Sequence, residues 1–433
     1  MRAQVIHSKP AAPSSSAKRP AVIIVGPPWP RSGTARVMQN QIAHYRSRGY
    51  LTVFICVPIH SSFVENHSDW NEIKLGINEL GADRTFFAPI DHKRFVAGKY
   101  TAWVGHKFRG TALDWIVFTA RSAQLPEDAI RYVRDLSVAL VHVNHVFTLG
   151  FAQRLLRESV ASGKNVPMLL ETHDVQSQLL RDRAEINPWT HRHDTLDRLL
   201  HSEIAHLKKV SVLVHCSSDD FHFFKKRLPY HKHVLVLPTI DEHFISAVHA
   251  AAPDAGDPTD LLFVGQATDF NRAAIQWFFE QVWPRIADRG YELKIVGPVD
   301  KSIRKELPDL YQAFGSYFVG PVTELAPVYH SARCVFAPMV SGTGISIKTI
   351  EALALGKPFV GTSKAYRGMP MDYIERAGLR AHDQPQDFAD ALVNALRDEQ
   401  HAAAASRDAY DKLFSTHASF SSRDHAVKIA VAS

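Results

Sequence analysis

The chain has 433 residues, 45% of them apolar, with 50 Lys and Arg against 44 Asp and Glu for a formal charge of +6. That length supports two domains with separate cores, and the mildly basic balance suits anionic partners, a nucleotide sugar or an acidic membrane, without selecting between them. Three cysteines inside apolar runs, and no run near the roughly 18 apolar residues of a bilayer span, exclude a disulfide scaffold and a helical membrane protein.

Residues 1–19 are rich in Ser, Ala, Pro and Lys and lack the apolar core of a signal peptide. They read as a disordered tail, and the expected location is the cytoplasm, free or resting on the inner face of the membrane. From Ala21 onward, short apolar runs alternate with helical periodicity. The runs 21–26, 51–57, 138–143, 167–171, 211–216 and 234–237 read as buried parallel strands, with helices such as 35–48 and 195–209 between them. Residues 250–258 join Ala, Pro, Gly and Asp without periodicity, which places a linker between a first domain, 20–249, and a second, 259–399. In the second domain the strands are 261–265, 293–297, 317–319, 334–337 and 359–361. The fold class is α/β: two Rossmann-like, doubly wound domains facing a central cleft. No repeat at solenoid spacing is present.

The most informative stretch runs from Gly342 to Val360 and reads as a glycine turn, an amphipathic helix and a buried strand. Gly342 and Gly344, flanking Thr343, let the backbone approach a bound group closely. The helix that follows aims its free amides and positive dipole end at the same spot, where a phosphate is stabilised. Lys348 adds a full charge, and Glu351 lies three residues on along the same face. Taken alone, Lys348 and Glu351 would be a surface ion pair of little energetic weight; the glycine turn and flanking strands favour a diphosphate and sugar site.

Other candidates are less specific. Gly33 and Arg36 lie at the turn after the first strand, where a glycine is also ordinary turn chemistry. His145 and His173 each follow a strand, at the cleft end of such a sheet. Either is a cleft residue or a turn or capping residue, and a shift of one position would make Asn144 the relevant side chain. No His, Asp or Cys grouping has zinc spacing, so no metal is expected. Residues 92–113 interleave five cations with four aromatics, and 221–228 have a similar character. Both suit an anionic membrane surface, or a plain helix with core aromatics and a solvated cationic face. No helix-turn-helix, zinc-finger or RNA-binding signature is present, so nucleic acid is not expected as a partner.

The Gly342–Val360 stretch resembles the donor-nucleotide motif of retaining glycosyltransferases of the GT-B fold, the group 1 or family 4-like proteins. The resemblance extends to Leu261-Leu-Phe-Val-Gly265, Leu293-Lys-Ile-Val-Gly297, Phe318-Val-Gly320 and Cys334-Val-Phe-Ala-Pro338, and to Ser32-Gly33-Thr-Ala-Arg36-Val37 near the start. It implies metal-independent transfer of a hexosyl group from a nucleotide-diphosphate sugar, the co-substrate and sole cofactor-like molecule. The acceptor would be a hydroxyl on a glycan, lipid-linked glycan or small molecule, with the anomeric configuration retained. Glu351 would bind the ribose, and Lys348 with the Gly342–Gly344 amides would hold the diphosphate and sugar. Gly33 and Arg36 would approach the sugar phosphate, and His145 or His173 the transferred sugar. Residues 400–433 would cross back onto the first domain. The pattern departs at Thr343, where a Glu is usual, and at Gln266 and Asn271, where many relatives carry Arg and Lys; phosphate neutralisation then falls on Lys348 and Arg36. An epimerase or hydrolase of the same fold, which relies on cleft carboxylates, gains no support from Thr343. A non-catalytic sugar-binding descendant stays open because of it.

Overall fold

The computed structural model describes residues 19–30, 32–59, 67–89, 110–160, 165–186, 194–251 and 259–433. Most of the tail, most of the cationic-aromatic stretch 92–113 and residues 252–258 of the linker lie outside the described residues.

The first lobe is built on a parallel sheet of β1 (Pro20–Gly26), β2 (Leu51–Cys56), β3 (Arg84–Phe87), β4 (Ser137–Asn144), β5 (Met168–Glu171), β6 (Val212–His215) and β7 (Lys232–Leu235). The spatial order is β3-β2-β1-β4-β5-β6-β7. Parallel strands covered by helices on both faces are apolar throughout, which is why β1 reads as one unbroken run. Its side chains still alternate: Ile23 and Val25 join one core with Val53 and Ile55, while Val22 and Ile24 join the other with Phe54 and Cys56. The edge strand β3 escaped sequence reading because it opens on exposed Arg84 and carries only two aromatics.

The second lobe repeats the plan with β8 (Thr259–Val264), β9 (Leu293–Val296), β10 (Phe318–Gly320), β11 (Ala332–Ala337) and β12 (Phe359–Gly361). Their order is β10-β9-β8-β11-β12, all parallel. Strand order reverses between β1 and β4 and again between β8 and β11. Outside the carboxyl ends of strands at such a reversal lies the crevice where open α/β sheets bind ligands.

The segment beyond residue 399 is two helices. Glu399–Leu413 stays with the second lobe, burying Ala405, Ala409 and Tyr410 in its core. The return falls at Phe414–Ser415, and Thr416–Ala432 then lies on the first sheet with Ala426 and Ala430 in the core beneath. Ser419 Oγ donates to Leu237 O at 2.7 Å, and Thr239 Oγ1 lies 3.1 Å from Tyr410 OH, tying the two crossing segments together. Of residues 221–228, all but Leu228 lie in the Ser218–Arg227 helix, which Leu228 caps. Phe224 is buried, and Arg227 stacks 3.6 Å from the Phe223 ring centroid. Among the described residues no helix is long and apolar enough to cross a membrane.

Five first-lobe histidines, His44, His142, His145, His173 and His215, are buried. Burial lowers the pKa of each from 6.5, to about 4 at His44 and His173 and about 3 at His215. The folded state therefore holds them neutral, whereas the unfolded chain protonates them below pH 6.5. Stability is lost as pH falls from that point, by up to about 1.4 kcal/mol per pH unit for each histidine. Thermal unfolding followed by circular dichroism should show a midpoint dropping steeply between pH 7 and pH 5; a flat profile would contradict this burial.

Candidate active site

The glycine turn follows β11. Gly342 and Gly344 have φ of 137° and 63°, the left-handed region that a side chain rarely adopts. A Cβ on Gly344 would collide with Asp174 Oδ1 of the first lobe, so only glycine permits this approach. The helix Ile347–Ala354 starts at Ser346, whose side chain makes no cap hydrogen bond; its Oγ lies 2.9 Å from Thr349 Oγ1 instead. Ile345 and Ile347 line the interlobe cavity, so this uncapped helix start faces it.

Lys348 leans back toward its own lobe. Nζ donates to Asn271 Oδ1 at 2.5 Å and sits 4.4 Å from the Phe263 ring centroid. Burial, aided by the Arg367 charge and opposed by Glu351, lowers its pKa to about 7. Glu351 accepts from Tyr329 OH at 3.2 Å, and its other oxygen lies 4.0 Å from Arg36 Nη2 of the first lobe. Burial pushes the Glu351 carboxyl up, against the pull of Arg36.

On the first lobe, Ser32 Oγ accepts from Ala35 N at 3.1 Å and starts the Gly33–Ser47 helix at the end of β1. His145 follows β4 and His173 follows β5, each with φ of 63°. Such geometry costs a non-glycine residue about 1–3 kcal/mol and persists only where the surroundings over-determine it. Here they do. The two rings stack with centroids 4.2 Å apart, His145 N donates to Glu171 O at 2.9 Å, and Thr34 Oγ1 lies 3.3 Å from His145 Nε2.

Behind the pair runs a buried polar network. His173 Nε2 lies 2.8 Å from Asn144 Oδ1, which also accepts from Gln41 Nε2 at 2.6 Å. Gln41 Nε2 reaches Glu171 Oε2 at 2.8 Å, and the same oxygen takes His142 Nε2 at 3.0 Å and Arg423 Nη1 at 2.8 Å. Glu171 and Arg423 are 0% and 1% exposed. Burial alone would raise the Glu171 pKa; the Arg423 charge and the His142 hydrogen bond outweigh it and hold the carboxyl well below the usual range.

Two further contacts close the lobes on each other. Gly368 N donates to Asp219 Oδ2 at 3.0 Å, and Ser218 N donates to Gly368 O at 2.8 Å. Arg367 Nε donates to Thr343 O at 3.0 Å and braces the glycine turn. What remains between the lobes is a cavity of about 210 Å³ lined by Gly33, Thr34, His173, Asp174, Thr343 and Gly344, among others.

Gly33, His173, Thr343 and Gly344 therefore share one cavity, and His145 joins through Thr34 and His173. Arg36 and Glu351 approach each other beside it. Gly342 backs the turn against Arg367, and Lys348 lies outside the cavity lining, held by Asn271. Both Asn144 and His145 enter: Asn144 is buried behind the stacked rings, and His145 forms one of them. Sequence reading missed Asp174 as the partner of Gly344, and also Gln41, Glu171, Arg367 and Arg423. A carboxylate ending an apolar strand was a legible sign of a buried partner at Glu171; nothing local marks Arg423. Among the described residues no group of three or more His, Cys, Asp or Glu is placed to hold a metal ion.

Two parallel-sheet Rossmann-like lobes meeting across the carboxyl ends of their strands make this a GT-B fold. Residues 258–398, in the second lobe, match the family model described as Glycosyl transferases group 1. No curated protein sequence matches the chain. Solved structures are similar throughout. Anabaena HepE in complex with UDP and glucose has a TM-score of 0.59 at 13% identity, over 94% of this chain and 99% of that one. Sucrose-phosphate synthase from Thermosynechococcus elongatus has a TM-score of 0.60 at 15% identity, over 95% and 97%. TarM has a TM-score of 0.61 at 10% identity, over 95% and 99%.

Replacing Arg423 by Met would leave the Glu171 carboxylate buried without its cation, a loss of about 3–5 kcal/mol. Adding Glu171→Gln should restore part of that stability. Urea unfolding of both single variants and the double variant reads the coupling, and additive losses would mean that the pair does not interact.

Proposed function

We propose that the chain is a glycosyltransferase that moves a sugar from a nucleotide-diphosphate sugar to a hydroxyl acceptor, with retention of configuration and without a metal ion. The observation that carries this reading is the meeting across one interlobe gap of the Gly342–Gly344 turn with Gly33 and the stacked histidines, with Glu351 facing Arg36 beside it and Lys348 one turn behind. The group 1 family match over 258–398 supports it. HepE was solved with UDP and with UDP-glucose, which makes UDP and its sugars the first donors to try here.

Glu351 would accept from a ribose hydroxyl. The uncapped start of the Ile347–Ala354 helix and the Lys348 ammonium stabilise the negative charge that grows on the leaving nucleoside diphosphate. Neutral His145 and His173 can exchange hydrogen bonds with sugar hydroxyls. The acceptor hydroxyl attacks from the face that the leaving group departs, a route that needs no strong protein base. The 210 Å³ cavity is below the roughly 300–1,000 Å³ of ordinary ligand pockets. Donor entry thus requires the lobes to part and Asp174 to leave Gly344, with closure afterwards excluding water. The enzyme would work in the cytoplasm, with a membrane-borne acceptor consistent with its basic charge.

Thermal-shift screening with UDP, GDP and ADP identifies the base through stabilisation by mass action. Incubation with labelled nucleotide sugars and acceptors then reads transfer; free sugar alone would indicate a hydrolase, an isomer an epimerase, and inert binding a scaffold. Lys348→Ala and Glu351→Ala should abolish transfer and leave the fold intact, and near-normal turnover in both would refute the roles given to them. Gly344→Ala should weaken nucleotide binding about tenfold or more, because the turn must leave its left-handed geometry.

The lowered pKa of Lys348 gives a pH signature. A bound diphosphate favours the ammonium, so binding takes up a proton wherever free Lys348 is neutral, above about pH 7. The last phosphate ionisation, with a pKa of about 6, is then nearly complete. Affinity measured by calorimetry should fall as pH rises above 7, by at most about tenfold per unit. Lys348→Met should bind weakly with no such slope; an equal slope in the variant would place the titration elsewhere.

A further inference from the structure

A second cavity, in the first lobe, lies away from the interlobe site. It measures about 670 Å³, within the usual range for ligand pockets, and sits between the helices Ala112–Ser122, Leu149–Ser159 and Leu196–Leu207 and the start of β5. Its lining divides by chemistry. Val117, Val146 and Leu149 are buried and aliphatic, with half-buried Leu156, Val166 and Met168 beside them, whereas Arg121, Arg157 and Lys209 are exposed. Among the described residues no carboxylate lines it. His206, which also lines the cavity, is engaged already, 3.2 Å from Asp114 Oδ1 and 3.2 Å from Lys209 Nζ. Among the described residues no acid pairs with Arg121 or Arg157.

An aliphatic floor under a cationic rim selects among ligands. A nucleotide would want a free aromatic platform for its base, and among the described lining residues the one ring is that of His206, already bonded to Asp114 and Lys209. A neutral sugar would want acceptors, and Gln153 and Asn165 are the uncharged polar side chains present. A phosphate carried on a hydrocarbon chain satisfies both halves: guanidinium groups bind phosphate oxygens in bidentate fashion, while the chain covers apolar surface otherwise open to water. We propose that this cavity binds a phosphate-bearing lipid, its head between Arg121 and Arg157 and its chain along Val117, Val146 and Leu149. Val146 directly follows His145, so the occupied cavity would press on the turn that carries one of the two stacked rings. Binding here does not depend on the transferase reading of the interlobe site and is measured apart from it.

The test uses the full chain and short-chain phosphatidic acid below its micelle concentration, titrated by calorimetry, with inorganic phosphate as the head-only control and short-chain phosphatidylcholine as the zwitterionic one. Saturable binding of phosphatidic acid, much tighter than that of either control, is expected. The exposed pair Arg121→Gln/Arg157→Gln should lose about tenfold or more in affinity, and Leu156→Asn should weaken phosphatidic acid while leaving inorganic phosphate unchanged. Vesicles of phosphatidylcholine with and without phosphatidic acid complete the series. Binding only to the charged vesicles, with none to the soluble lipid, would mean surface adsorption and overturn the proposal. Equal affinity for inorganic phosphate would reduce the cavity to a plain anion site and overturn it too, as would undiminished binding by the double variant.

Discussion

One carboxylate oxygen, Oε2 of Glu171, holds the first lobe's half of the site. It accepts from Gln41, His142 and Arg423, and each partner comes from a different element. A buried charge is tolerated only when paired and hydrogen-bonded, so the ends of β4 and β5, the Gly33–Ser47 helix and the last helix of the chain must all keep their places together. Arg423 arrives from a helix that begins after the second lobe is complete. Formation of this pair therefore couples the first lobe's site to the return of the chain from the second.

That rigidity carries the unusual backbone next to it. His145 and His173 both adopt left-handed geometry without being glycines, and both are fixed by groups from the network: Glu171 O for one, Asn144 Oδ1 for the other. The stacking of two buried imidazoles is possible because burial keeps them uncharged; two imidazolium rings 4.2 Å apart would repel. Strain, stacking and neutrality are thus one arrangement, and it faces the gap between the lobes.

Across that gap the second lobe supplies flexibility of approach in place of charge. Glycine at 344 lets the turn touch the first lobe, and glycine at 368 lets the backbone exchange hydrogen bonds with Ser218 and Asp219. Lys348 of the second lobe is withdrawn among Phe263, Met339 and Asn271, where burial disfavours its charge. The lobes are therefore closed on each other by backbone contacts and by a first-lobe carboxylate, Asp174, that meets Gly344.

The local sequence determined the alternation of buried strands and helices, the two α/β lobes and the Gly342–Glu351 motif, because unbroken apolar runs, glycine at a turn and helical spacing act over a few residues. It carried no sign of β3, whose four residues lean on an edge position and gain stability from pairing with β2. Nor did it reveal that Lys348 turns toward Asn271, that Asp174 meets Gly344, or that Arg423 reaches Glu171 across 252 residues of chain. Those contacts join groups whose separate neighbourhoods look ordinary. Only the packing of two lobes and a returning helix brings them within hydrogen-bond distance, and burial then decides which charges survive.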